Sequence, residues 1–356
     1  SEKLEAPLLH TTRSKDIIDN HHPNVLGGIG IMGNHPANHA MHKADLLIIV
    51  GCNFAWRQFY PAGTPIVKID HDPEHLATHI PVTHPVLGSA QPSVSGLLER
   101  VDAKSDTAFL VKSRKPLVKL IDDHTFGAKK TKPGKPVHPA ALLHAIKQNL
   151  TDDAIVCGDS GSTTIWFNNI VQLKPPQRFI WSANLATLGA GMPQAIGASF
   201  AEPDRQVVMI AGDGGFQMSI QDIVTAAMYE RPIKCFILNN GCYKFIEFEE
   251  ASHDGNPASG TRFLNPDYAK LAEACHCKGI SVGTYDELMP AVEEAMAYDG
   301  MVIVDCHVDP EALMIPPAVT THMALNYMKS EIRSWFAPPS PEMVHLASQA
   351  EAEAKS

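Results

Sequence analysis

With 356 residues, 44% of them apolar and 19% charged, the chain has the composition of a soluble globular protein long enough for two domains. Its 29 basic and 39 acidic residues leave a formal net charge of −10, which gives a nucleic-acid partner no electrostatic support. The cysteines at 52, 157, 235, 242, 275, 277 and 306 form no CxxC pair and lie mostly in apolar runs. Buried free thiols in a reducing compartment are therefore expected, not a disulfide framework or a zinc site. No apolar run reaches the ~20 residues of a membrane span and no signal-peptide pattern opens the sequence, so a cytoplasmic location is expected.

From residue 1 to about 101 the pattern alternates strands and helices. Apolar runs at 7–10, 46–50 and 66–69 read as buried parallel strands, and 36–44 and 73–79 as short helices between them. Residues 1–7 resemble the end of a helix. Residues 102 to about 137 carry charge and turn residues, including a Lys-rich run at 129–136, and read as a solvated linker. A second α/β unit begins near His138. It holds helices at 139–150, 189–200, 219–229, 268–275 and 285–297, and strands at 154–157, 179–181, 206–210, 235–238, 279–282 and 301–308. The fold class expected is α/β, two doubly wound parallel-sheet domains, because repeated βα units require a sheet covered on both faces. A domain at 1–101, the linker 102–137, a second domain at 138–325 and a helical tail at 326–356 complete the expected organisation.

Residues 211–250 carry the specific signal. The strand at 206–210 leads into Gly212-Asp213-Gly214-Gly215, and the strand at 235–238 ends at Asn239-Asn240. Asp213 and Asn240 then stand at two strand ends joined through one helix, opening on the same sheet edge. Glycines let backbone N–H groups approach a phosphate, while a carboxylate and an amide oxygen are hard ligands for a divalent cation.

This stretch resembles the fingerprint of the thiamine-diphosphate enzymes, which opens with Gly-Asp-Gly and closes with Asn-Asn, at the spacing found here. The likeness extends over nearly the whole chain to the pyruvate oxidase and acetolactate synthase branches, with pyruvate oxidase the closer. It implies Mg²⁺ ligands at Asp213, Asn240 and the Cys242 carbonyl, and diphosphate contacts at Gly161, Ser162, Gly212, Gly214 and Gly215. Residues 184–198 match the cofactor-cradling turn, with Ala186 and Thr187 against the cofactor and Leu188 as the apolar prop under its thiazolium ring. In the oxidases an aromatic residue at the Phe245 position assists electron transfer to a flavin, and the Glu249 position approaches the substrate.

The first domain resembles the family's FAD-binding scaffold. Arg13, Lys15, Gly28-Ile29-Gly30-Ile31, Gly51-Cys52-Asn53-Phe54-Ala55, Asp70 and Asp72 fall in the order in which those proteins line a flavin. Ser89 departs from the aspartate usual there. The resemblance also implies a pyrimidine-binding domain that supplies an activating glutamate, which would come from another chain of a homo-oligomer or from a separate subunit. The implied activity is decarboxylation of pyruvate or a similar 2-keto acid, with FAD reoxidised by quinone or oxygen. The alternatives are an acetolactate synthase-like carboligase, or a non-catalytic cofactor-binding fragment or subunit. Residues 323–336 have helical apolar spacing, but 337–341 break it and the acidic end opposes membrane docking. His35, His39 and His42, and His71, His75 and His79, can each share a helix face, and are expected to be surface residues, not metal ligands.

Overall fold

The computed structural model describes residues 1–54, 56–129, 134–312 and 321–334, apart from the side chains of 122–129, 321 and 334. Two compact units are present: one is built mainly from residues 1–124, the other mainly from 125–171, 176–315 and 319–356.

In the first unit, β1 (Leu8–His10) pairs parallel with β2 (Val25–Gly28), and α1 (His35–Lys43) follows. Next come β3 (Leu47–Val50), β4 (Ile66–Asp70), α2 (Pro73–Ala77), β5 (His84–Leu87) and α3 (Ala90–Arg100), with the three strands in one parallel sheet of order β3-β4-β5. Residues 2–5 are turns, so the opening helix end expected there is not found. The stretch expected as a solvated linker is largely helical, α4 (Ala108–Lys129). Its many charges mask an apolar row; Leu110 is buried, and Leu117 packs against Leu26, Ala37 and Ala40. The helix α2 ends at Ala77, so His71 and His79 fall outside it and the second histidine face does not form. On α1, His35 and His39 stack at the surface with ring centroids 5.7 Å apart. No group of three or more His, Cys, Asp or Glu able to hold a metal occurs among the described residues. Ala55, expected in the flavin lining, lies outside the described residues.

The second unit opens with α5 (Pro139–Gln148), β6 (Ile155–Gly158), α6 (Ser162–Ile170), β7 (Arg178–Ile180) and α7 (Gly191–Ala201). Then come β8 (Val207–Gly212), α8 (Asp213–Gln217), α9 (Asp222–Met228), β9 (Ile233–Asn239) and α10 (Lys244–Asp254). The unit continues with α11 (Tyr268–Ala274), β10 (Lys278–Val282), α12 (Tyr285–Ala297), β11 (Val302–His307) and α13 (Thr321–Ser334). The six strands form one parallel sheet in the order β10-β11-β9-β8-β6-β7. The helix expected at 219–229 is found, shortened, as α9, and the glycine turn before it is itself helical, as α8.

Residues in β6, β8 and β9 are almost all buried, as a sheet covered on both faces requires. One core cluster runs from Cys157 and Met209 through Phe216, Ile237 and Tyr268 to Ile303. The chain leaves β6 outward to β7 and then returns to β8 on the other side of β6. A parallel sheet opens a crevice at such a reversal, beyond the strand C-termini. Here Asp159 and Asp213 follow those two termini.

In this unit α13 lies on α10. Gly255 ends α10 in the left-handed conformation, and Asn326 and Arg333 bond to the His253 and Gly255 carbonyls at 2.8 and 2.7 Å. Of the tail expected at 326–356, residues 335–356 lie outside the described residues. No described helix is long and apolar enough to cross a membrane.

Candidate functional site

At the reversal point a cleft is lined by Ser162, Thr163, Gly212, Asp213, Asn240, Cys242 and Lys244, among others. Three elements bring them together. The strand β8 delivers Gly212 and Asp213, β9 delivers Asn240 and Cys242 beyond its end, and α6 begins at Ser162. Gly161 caps α6 with φ of 111° and ψ of −159°, a conformation closed to side chains, and no side chain caps the N–H groups behind it. That helix end faces the cleft with its N–H groups and the positive end of its dipole.

Asp213 is only 2% exposed. Its Oδ1 accepts from the Gly214 N–H at 2.9 Å; Oδ2 accepts from the N–H groups of Asn240 (2.9 Å) and Gly241 (2.6 Å) and from Asn265 Nδ2 (2.7 Å). Burial pushes its carboxyl above the usual range, and these four neutral donors recover only part of that cost. The Asn240 Oδ1 accepts from the Cys242 N–H at 3.0 Å, and the Cys242 carbonyl from the Lys244 N–H at 2.9 Å. Asp213 Oδ1, Asn240 Oδ1 and the Cys242 carbonyl thus each take one N–H and keep a lone pair. Three hard oxygens of this kind on one cleft suit Mg²⁺. The Cys242 thiol, pushed up to about 12 by burial and then by Glu247, is no ligand for such an ion.

The glycines serve the site sterically. A methyl on Gly214 would overlap the Tyr243 ring and stand 3.0 Å from that of Phe263. Those two rings pack at 4.6 Å, and Phe263 N–H bonds back to the Gly241 carbonyl at 3.0 Å, which clamps the loop after β9.

Asp159, fully buried, fixes a second loop. Its carboxylate accepts the N–H of Ser160 at 2.7 Å and that of Gly189 at 3.1 Å, and burial raises its carboxyl in spite of them. The Gly189 bond anchors one end of the turn carrying Ala186, Thr187 and Leu188, while Ser182 holds the other by accepting the Ala186 N–H at 2.9 Å. Ala186 has φ of 48°, and Leu188 is 37% exposed, so this leucine stands at the surface and not in the core. Phe245 and Glu249, four apart in α10, share one helix face. Glu249 is exposed, and partial burial raises its carboxyl.

The polar network behind Asp213 went unread in the sequence. Asn265 Nδ2 also donates to Asn239 Oδ1 at 2.7 Å, and Asn239 donates to Asp305 at 2.8 Å. Gln217 donates to Asn265 Oδ1 and to the Tyr268 hydroxyl at 2.7 and 2.9 Å. Lys244, Glu247 and Arg262 form another group. Glu247 accepts from Lys244 Nζ at 2.6 Å and from Arg262 Nη2 at 2.9 Å; burial opposes its ionisation, but the two cations hold its carboxyl below the usual range.

In the first unit the residues expected to line a flavin stand at several strand ends. Gly28 ends β2, followed by Ile29, Gly30 and Ile31, while Gly51, Cys52, Asn53 and Phe54 follow β3. Phe54 lies over Gly30, where a methyl would meet its ring at 2.8 Å. Arg13 is exposed and Lys15 buried. Asp70 accepts the Asp72 N–H at 3.1 Å and lies against His71 and His75, and Asp72 caps α2 through the Glu74 N–H at 2.9 Å. Among the described residues, chain neighbours aside, no atom lies within 4 Å of where a methyl on Gly51 would stand.

Residues 159–306 match the family described as "Thiamine pyrophosphate enzyme, C-terminal TPP binding domain", and residues 1–97 match "Thiamine pyrophosphate enzyme, central domain". YdaP of Bacillus subtilis, named as a thiamine pyrophosphate-containing protein, is 34% identical over 97% of this chain and 60% of its own length. The pyruvate oxidase of Lactiplantibacillus plantarum is 29% identical over 83% of this chain and 49% of its own length. The acetolactate synthase large subunit of Haemophilus influenzae is 28% identical over 92% of this chain and 58% of its own. The chain spans half to three fifths of the length of these relatives.

Proposed function

The chain carries the central and C-terminal TPP-binding domains of the thiamine pyrophosphate enzymes and is homologous to acetolactate synthase and pyruvate oxidase; from that premise we propose that its cleft holds Mg²⁺ and thiamine diphosphate for the oxidative decarboxylation of pyruvate or a similar 2-keto acid, with FAD on the first unit. The observation that carries the reading is the trio of oxygens on Asp213, Asn240 and Cys242, each with a lone pair to give. Bound thiamine diphosphate would supply the electron sink that lets a 2-keto acid lose carbon dioxide.

The remaining roles belong to this chain. Asp213, Asn240 and the Cys242 carbonyl hold the cation, and Gly161, Ser162, Gly212, Gly214 and Gly215 bring N–H groups to the diphosphate. Asp159 fixes the turn from which Leu188 props the cofactor, an apolar role that suits an exposed leucine on a tethered loop. Phe245 and Glu249 face the substrate and electron-transfer side from α10. In the first unit the room that the described residues leave beside Gly51 and the exposed Arg13 are what FAD binding calls for.

The test is calorimetric titration with thiamine diphosphate in Mg²⁺, followed by the visible spectrum before and after addition of pyruvate. Magnesium-dependent binding and a flavin band that bleaches are expected. A band that persists turns the reading to carboligation, and absence of thiamine diphosphate binding sinks it.

A further inference from the structure

Among the described residues that line the cleft, Lys244 is the one with a cationic side chain, and it is only 7% exposed. Among the described residues Glu247 alone accepts from its ammonium, which leaves two of three protons unassigned. Glu247 does not need Lys244 for neutrality, because Arg262 already approaches its other oxygen with Nε at 3.1 Å and Nη2 at 2.9 Å. The trio therefore carries one positive charge in surplus, and the member on the cleft wall is Lys244. The segment bearing Arg262 is itself tied to this loop: Tyr243 N–H bonds to the Thr261 carbonyl at 2.8 Å, and Cys242 and Arg262 form an antiparallel bridge. Glu247 thus works as a bracket that fixes the ammonium of a residue lining the same cleft as Asp213, Asn240 and Ser162.

We infer that Lys244 is a second, metal-independent counter-charge for the diphosphate group bound in this cleft. The inference rests on the reading of the cleft as a diphosphate site. One charge of a magnesium ion is offset by Asp213, so most of a diphosphate's charge stays uncompensated by the metal. A buried ammonium with donors that no described residue occupies answers that remainder, as a charge-assisted contact. The consequence is specific: the cleft keeps measurable affinity for a bare diphosphate when no divalent cation is present.

The experiment is titration calorimetry on the full chain with two probes, inorganic pyrophosphate in EDTA and thiamine diphosphate in Mg²⁺. Wild type is expected to bind both. Lys244→Met should lose pyrophosphate binding in EDTA and weaken the magnesium complex about 10- to 100-fold, with Lys244→Arg restoring most of it. Because Lys244→Met also leaves Glu247 less compensated, the double variant Lys244→Met/Glu247→Gln removes both charges and is the decisive control. Equal loss in the double variant assigns the effect to the ammonium; full recovery overturns the inference, since the anion would then have been repelled by Glu247. Thermal unfolding checks that each variant is folded, and Lys244→Arg, which keeps the charge and the bracket, remains informative if the methionine variant is not. Wild type binding thiamine diphosphate in Mg²⁺ but not pyrophosphate in EDTA overturns the role of Lys244 alone. Wild type binding neither probe overturns the cofactor reading with it.

Discussion

The two units put an aspartate at the end of a parallel strand and treat its charge in opposite ways. At the end of β4, Asp70 accepts the Asp72 N–H and lies against the imidazoles of His71 and His75. Burial works against its ionisation, but those neighbours hold its carboxyl below the usual range. After β8, Asp213 takes four neutral N–H donors, has no cation bonded to it among the described residues, and is raised by burial. The first aspartate has an N–H donor and two imidazoles that favour its ionised form, whereas the second has its geometry fixed while burial still works against its charge. A side chain in the second condition is preorganised for a ligand that brings positive charge.

The sharpest way to break this contrast is Asp213→Asn. The substitution keeps the shape but removes the charge, and it turns an NH2 toward donors that need an acceptor. Calorimetry is expected to show affinity for thiamine diphosphate in Mg²⁺ falling by about 100-fold or more, the scale of losing a charged ligand and leaving its donors unpaired. A loss under fivefold would mean that Asp213 is only a structural cap.

Acidity should separate the units in opposite directions. His10, at the end of β1, is 4% exposed and its imidazole is lowered to about 4, by burial first and then by Lys15. Its folded pKa lies below the unfolded one, so the unfolded chain binds more protons between pH 6.5 and 4, and stability falls as pH falls. The window amounts to about 3 kcal/mol in the first unit. Asp159 is raised by burial, so its contribution has the reverse sign: complete below the ordinary aspartate range and lost as pH rises through the folded value. Hydrogen exchange on peptides from 1–60 and 150–240 should show the first set opening far more as pH drops from 6.5 to 4, and His10→Gln should flatten that slope. Parallel behaviour of the two sets would refute the contrast.

Asn265 tests whether the fixed geometry matters apart from the charge. It ties Asp213 to Asn239 and through it to Asp305. Asn265→Ala removes no proposed ligand, yet affinity for Mg²⁺ with thiamine diphosphate should fall about 10-fold, the lower end for loss of a group that orients a metal ligand. Unchanged affinity would make Asn265 a packing residue only.

How much of this was legible depended on distance along the chain. Asp213 and Asn240 could be read because strand, turn and helix signals sit within one βα unit, where local periodicity fixes which ends open together. Asn265 lies 52 residues after Asp213, and only the sheet brings its segment back to β8, so no spacing announced it. Lys244 likewise reads as one more charge on a helix until Arg262 returns beside Glu247. The helix α4 was hidden by its charged residues, since Leu117 shows its purpose only once the Leu26 surface exists to receive it. The α/β class itself was plain, because β6, β8 and β9 are buried on both faces and so are apolar nearly throughout.

The smallest expected effects come from a pair of glycines, one in each unit. Gly51→Ala places a methyl where φ is 58° and no atom of the described residues, chain neighbours aside, stands within 4 Å, so its cost is the left-handed backbone alone, about 1 kcal/mol. Gly214→Ala sits at a helical position that favours alanine, but the methyl would overlap Tyr243 and press on Phe263, and such overpacking costs about 1–3 kcal/mol. After the helical gain the two substitutions should lower stability by similar amounts in thermal unfolding. They should part in calorimetry. Displacing Tyr243 moves the loop that carries Cys242 and Lys244, so Gly214→Ala weakens thiamine diphosphate binding, while Gly51→Ala leaves it intact. Equal binding by both variants would mean that the Tyr243 loop tolerates movement, and that the precision assigned to the second unit resides in Asp213 and its four donors alone.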